Sequence, residues 1–94
     1  MRIEELIWLD EIIEKLAVKH SVEPYEVEEV LLNKPKFRFM QKGNIKNEDV
    51  YLALGQTYAG RYLTVLFIYK PFSQALILSA RDMARKERKM YGRK

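Results

Sequence analysis

The chain contains no cysteine and a single histidine, His20, among its 94 residues. Disulfides and thiolate metal sites are therefore excluded, and a zinc site built on histidines is not expected. Only four glycines and three prolines occur. No Gly/Ser linker, internal repeat or low-complexity tract divides the chain, so residues 1–94 are read as one domain. No apolar run approaches the ~20 residues of a membrane-spanning helix, and no membrane association is expected. The segment Met1-Arg2-Ile3-Glu4-Glu5 is acidic where a secretory signal would be positive, which argues against export, and the lack of cysteine suits a reducing cytoplasm. A glycine-rich phosphate loop, a nucleophile elbow, a paired-histidine metal helix and an EF-hand loop are all missing. Neither a metal nor another cofactor is expected.

What is present is the composition of a soluble globular protein, 48% apolar and 32% charged. The net charge of +4 conceals a division. Residues 1–33 hold nine acids and three bases, a net −6, whereas residues 34–80 hold seven bases and two acids, a net +5. Residues 81–94 hold seven bases against Asp82 and Glu87, again +5. A folded chain so divided has an acidic side and a basic side, and the basic side suits nucleic acid.

Hydrophobic spacing places the elements. Ile12, Ile13, Leu16, Ala17 and His20 share one face of a 3.6-residue period, predicting a helix over about 9–20 with Trp8 packed beneath it. His20 is expected to close that helix by donating to a C-terminal carbonyl. Pro24 suits a first helical position, and Val27, Val30 and Leu31 mark the buried stripe of a second helix ending near Asn33. The period then becomes two: Phe37 and Phe39 alternate with Lys36 and Arg38. Strands are predicted over 50–57, 62–69 and 74–79, with Tyr58-Ala59-Gly60-Arg61 as a hairpin turn. A last helix is predicted over 82–91. The order α-α-β-β-β-β-α is an α+β fold, an antiparallel sheet packed with helices.

Cations and hydroxyls dominate the candidate chemistry, because the acids cluster in the first two helices. Arg81, at the close of the last predicted strand, either holds a phosphate by two parallel hydrogen bonds or pairs with an N-terminal glutamate. Lys70, beside Pro71, has the same two readings. The run Arg85-Lys86-Glu87-Arg88-Lys89 is either a solvated helix face or a contact for a nucleic-acid backbone. Tyr91 is expected to pack the last helix onto the sheet. Tyr51, Tyr58 and Tyr62 are open to base stacking or to a structural role.

The segment Tyr51-Leu52-Ala53-Leu54-Gly55-Gln56-Thr57, followed by Gly60-Arg61-Tyr62-Leu63 and Val65-Leu66-Phe67, resembles the central block of the BrnT toxins. Ser79-Ala80-Arg81 with Glu87-Arg88 and Tyr91, and upstream Trp8 and Lys19-His20 with Val22, fit the same family in order and spacing. The resemblance implies a RelE-like fold and a metal-independent ribonuclease of a type II toxin–antitoxin system. It also implies a cognate BrnA-like DNA-binding antitoxin, with operator DNA bound only through the complex. By that resemblance Arg81 is expected at the transition-state phosphate, supported by Ser79. Lys70 or Lys19 is expected as general base or second cation, and Arg61, Arg85, Lys86, Arg88 and Lys89 as RNA contacts. The chain departs from the family pattern in four places. It has Val50 where an arginine is frequent, Ala84 for threonine, Ser21 in the usual Lys-His-Gly-Val, and Leu9 in the usual Trp-Asp. The alternatives are a non-catalytic module binding antitoxin and nucleic acid, and a plain RNA-binding protein.

Overall fold

Eight elements follow one another along the chain: β1 (Glu5–Ile7), α1 (Asp10–His20), α2 (Pro24–Leu32), β2 (Lys36–Gln41), β3 (Asp49–Gln56), β4 (Tyr62–Lys70), β5 (Gln74–Asp82) and α3 (Arg85–Gly92). The structure, a computed structural model, describes residues 1–93. Lys94, counted above with the basic C-terminal residues, lies outside the described residues. The strands form one sheet in the order β1-β5-β4-β3-β2, so β4 is central, as its run of β-branched and aromatic residues predicts.

Two expectations are corrected. The sheet has five strands, and its first pair, β1 with β5, is parallel. The three residues of β1 are too few to show an alternation, and they are held by β5 through Glu5↔Gln74, Leu6↔Ala75 and Ile7↔Leu76. In addition, β5 continues to Asp82 rather than stopping at Ser79, because β4 pairs with it as far as Leu63↔Asp82. Arg81 therefore sits within a strand, opposite Thr64, and the last helix starts only at Arg85.

Alternation along β4 separates two faces. Leu63, Val65 and Phe67 are fully buried with Leu16, Val22, Val27 and Val30, so α1 and α2 cover this face. Full burial of such side chains contributes roughly 1.5–3 kcal/mol each. The intervening residues face the other way, where Thr64 contacts α3 through Glu87. The acidic helices and the basic helix thus lie on opposite sides of the sheet.

Close packing of α2 on β3 needs Gly55. A Cβ there would stand 3.0 Å from a Val30 methyl and 3.3 Å from both Pro35 Cβ and the Val30 carbonyl. Gly55→Ala is expected to cost about 1–3 kcal/mol, measurable as a lower urea midpoint with an unchanged slope.

Helix α1 ends where Ser21 enters the left-handed region at φ 53°, ψ 39°. That conformation costs a residue with a Cβ roughly 1–2 kcal/mol and suits glycine. It gives the glycine of the BrnT pattern a physical basis. Ser21→Gly is expected to raise the melting temperature by about 4–8 °C per kcal/mol regained, read by thermal denaturation. The hairpin between β3 and β4 turns at Gly60, φ 95°, with the Thr57 N–H donating to the Arg61 carbonyl at 2.9 Å.

Candidate RNA-cleavage site

Three elements meet around one buried carboxylate. Glu87 is in the first turn of α3, and Arg81 and Thr64 are cross-strand partners on β5 and β4. Arg81 Nη1 and Nη2 donate to the two Glu87 oxygens at 2.7 and 2.8 Å, the parallel fork of a guanidinium on a carboxylate. The Thr64 hydroxyl donates to Glu87 Oε1 at 3.0 Å, and the Ala84 N–H donates to the same oxygen at 2.7 Å. The last bond is the backward half of a capping box. Its forward half is missing because Ala84, at the N-cap, has no side-chain acceptor; threonine, frequent here in the BrnT pattern, would supply one.

The Arg81 fork, the Ala84 amide and the Thr64 hydroxyl, against the penalty of burial, hold the Glu87 carboxyl down at about 2. Glu87 is therefore an anion across the physiological range, suited to anchoring a cation rather than to taking up a proton. The same pairing, opposed by partial burial, raises the Arg81 guanidinium.

Arg81 is held but not used up. A guanidinium carries five N–H donors. Glu87 takes two, and the Asp82 carbonyl takes a third at 3.2 Å. The Nε hydrogen and the outer Nη2 hydrogen have no acceptor among the described residues, and these two lie side by side as a second fork. The Arg81 side chain is 44% exposed whereas that of Glu87 is 11% exposed. One edge of the arginine is thus fixed in the protein and the other faces outward. The expected pairing of Arg81 with an N-terminal glutamate is corrected: its acidic partner is Glu87, in the last helix.

The remaining predicted residues are dispersed. Ser79 lies on the same face two residues before Arg81, yet its side chain makes no hydrogen bond among the described residues; Glu87 supplies the support expected of it. Lys70 bonds Glu48 at 2.8 Å at the opposite end of β4. It is six residues from Thr64, the partner of Arg81, which puts the two cations about 20 Å apart. Lys19, in the last turn of α1, belongs to the other side of the sheet. Arg81, Lys70 and Lys19 thus do not converge on one phosphate.

Arg61 faces inward. Its Nε donates to Asp82 at 2.8 Å, Nη1 to the Ser21 carbonyl at 2.7 Å and to both Glu26 oxygens at 3.2 Å, and Nη2 to the His20 carbonyl at 2.8 Å. Arg61 therefore caps α1, a role expected of His20, and ties the α1–α2 junction to the end of β5. Asp82, bonded by Arg61, is lowered below the usual carboxylate range. Alternation puts Arg81 and Asp82 on opposite faces, so consecutive residues are clamped from opposite sides.

Arg85, Lys86, Arg88 and Lys89 lie on α3, the helix whose Glu87 holds Arg81, and Tyr91 packs edge-on against Tyr62 at 6.0 Å. A groove between α3 and the sheet is lined by Met40, Leu52 and Met90 and rimmed by Arg38, Lys86, Lys89 and Arg93. Among the described residues no three carboxylate, imidazole or thiol groups gather into a metal cluster, and no helix is long and apolar enough to cross a membrane.

Residues 8–87 match the family model described as the ribonuclease toxin BrnT of type II toxin–antitoxin systems. The chain belongs to the BrnT family. It is accordingly a ribonuclease toxin whose system includes an antitoxin partner. The fold agrees: the crystal structure of the Brucella abortus ribonuclease toxin BrnT superposes with a TM-score of 0.63 at 16% identity, covering 86% of this chain and 97% of that one. Comparison with curated proteins yields no match. Val50, where an arginine is frequent in the BrnT pattern, lies on the α3 face opposite Ile68. Thr64 was not singled out from the sequence. Glu87 carries a signal that reveals it, being the one acid among the last twelve residues.

Proposed function

We propose that this BrnT chain cleaves RNA without a metal ion, with Arg81 binding the scissile phosphate through its Nε–Nη2 edge. The observation that carries this is the half-occupied guanidinium: one fork fixed by a buried anion, the other open beside a basic helix. In the step, the 2′-oxygen forms a bond to phosphorus while the bond from phosphorus to the 5′-oxygen breaks. The 2′-hydroxyl gives up its proton, and the leaving 5′-oxygen takes one. Charge building on the phosphate oxygens is met by a donor pair already oriented. Arg85, Lys86 and Lys89 hold the flanking backbone, and Arg61 serves the fold.

The expected products are a 2′,3′-cyclic phosphate and a 5′-hydroxyl. Incubating the purified chain with RNA in excess EDTA and analysing the ends tests this. Abolition of cleavage by EDTA, restored by a divalent cation, rejects the metal-free step. Intact RNA in every condition, together with tight binding of antitoxin, supports instead the non-catalytic module, which Val50 in place of the frequent arginine favours.

The partner on this reading is a BrnA-like DNA-binding antitoxin, and operator DNA is reached only through the complex. The groove of Arg38, Met40, Leu52, Lys86, Lys89 and Met90 suits an acidic amphipathic segment, because its floor is apolar and its rim wholly cationic. Such a segment would neutralise the bases that flank Arg81. A toxin acting on cellular RNA in this way works in the cytoplasm.

A further inference from the structure

Arg88 differs from the two arginines already described. Arg61 spends its donors on acids and carbonyls, and Arg81 spends three of its five. The Arg88 side chain has no hydrogen bond or ion pair among the described residues; its backbone N–H donates to the Ala84 carbonyl at 3.0 Å. Its guanidinium carbon lies 3.6 Å above the centre of the Tyr62 ring, the separation of two stacked planar groups. Tyr62 is itself braced, with the Tyr91 ring edge-on at an interplanar angle of 80°. Arg88 is exposed, so the pair presents to solvent a flat cation, backed by a fixed aromatic ring, with its donors unspent.

Its position gives that surface a use. Tyr62 precedes Thr64 by two residues on the same face of β4, and Thr64 is the cross-strand partner of Arg81. The spacing along the strand is about 7 Å. Arg88 also follows Glu87 directly, so the element that fixes Arg81 sets the height of the stack. We infer that the Arg88–Tyr62 stack is a nucleobase subsite, which receives the base of a nucleotide flanking the phosphate held by Arg81. This rests on the assignment of that phosphate to Arg81. A base is the ligand that uses the open face of the stack: it lies flat on the guanidinium plane backed by the Tyr62 ring, while the in-plane N–H groups stay free for another part of the same strand. A phosphate would use only the donors. Helix α3 is already anchored through Glu87, through Tyr91 and through Lys36, which donates to the Met90 carbonyl at 3.3 Å. The stack is thus not needed to dock the helix.

The test compares a short mixed-base DNA strand with an abasic deoxyribose-phosphate strand of the same length. Neither has a 2′-hydroxyl, so neither is cut, and fluorescence anisotropy reports affinity. The wild-type chain is expected to prefer the strand with bases by about tenfold or more. Arg88→Ala is expected to erase the preference by weakening only the strand with bases beyond the general loss of one charge. Arg88→Lys keeps the charge, so it is expected to bind the abasic strand like wild type while still losing most of the preference. A wild-type chain without preference, or an Arg88→Lys chain that retains it in full, overturns the subsite. Arg81→Lys separates the two assignments: it should weaken both strands alike and leave the preference standing. If Arg81→Lys binds both strands like wild type while the Arg88 results hold, the phosphate assignment fails and the stacking site survives.

Discussion

Arg81→Lys is expected to lower kcat on RNA by about 10²–10³-fold, the loss typical when an oriented donor to a developing oxyanion is removed. Lysine keeps the positive charge but not the planar fork. Its ammonium can neutralise Glu87 or approach the phosphate, whereas the guanidinium does both with separate edges. KM should rise only modestly, in step with the weaker binding of uncleavable strands, because the bases of α3 still hold the backbone. The variant should also fold, since Glu87 keeps a cationic partner. Arg81→Ala is the less informative change: it strands a buried carboxylate, at a cost of about 3–5 kcal/mol, and confuses loss of chemistry with loss of fold. Single-turnover cleavage of a labelled RNA, beside a urea titration of the same preparation, distinguishes the two. An Arg81→Lys chain that cleaves at the wild-type rate would remove Arg81 from the chemistry.

Glu87→Gln has the second large effect, on stability and activity together. Its amide group turns donors towards the Arg81 donors and leaves the guanidinium without its anion. The expected loss is about 2–3 kcal/mol at neutral pH, a value reduced by solvent at the exposed edge of Arg81. The pH dependence carries a sign that identifies the cause. Glu87 has a folded value of about 2, below its ordinary 4.5. Its contribution is therefore complete above pH 4.5 and disappears as the pH falls towards 2. The gap between wild type and Glu87→Gln should accordingly narrow as the solution is acidified through that window, measured by urea titration at pH 7 and pH 3. Activity should fall about 10–100-fold as Arg81 loses its fixed orientation. Glu87→Asp, which restores the anion on a shorter arm, should recover part of it. A purely structural glutamate would lower the folded fraction but leave kcat per folded molecule unchanged.

The two substitutions also show why the site was only half legible in the sequence. Arg81 stood out by residue type and by its place at the end of an apolar strand. Glu87 was visible as one acid in a basic run and as a resemblance to the BrnT helix. That the two form one unit was not visible. It depends on β5 running three residues further than its apolar pattern, and on α3 turning back so that its first turn meets that extension. Lys70 and Lys19 failed as partners for Arg81 for a similar reason. Charge and exposure are properties of a residue type, but distance is set by strand length and by which face of the sheet an element covers.

The sequence by itself determined the local structure and the division of charge. Helical spacing in Ile12–His20 and Val27–Leu31, the alternation through Phe37 and Phe39 and the apolar run of β4 each state which side of an element leaves water. The acids of α1 and α2 stay apart from the bases of α3 because a single sheet separates those helices. What the tertiary structure alone decided is which cations remain available. Arg61 and Arg81 are the same residue type, each close to a turn or strand end in a basic region. Folding surrounds Arg61 with Asp82, Glu26 and two helix-end carbonyls, whereas it gives Arg81 one buried anion and leaves an edge open. An arginine's partners come from segments distant in the chain, and no local pattern records how many of its five donors they will take.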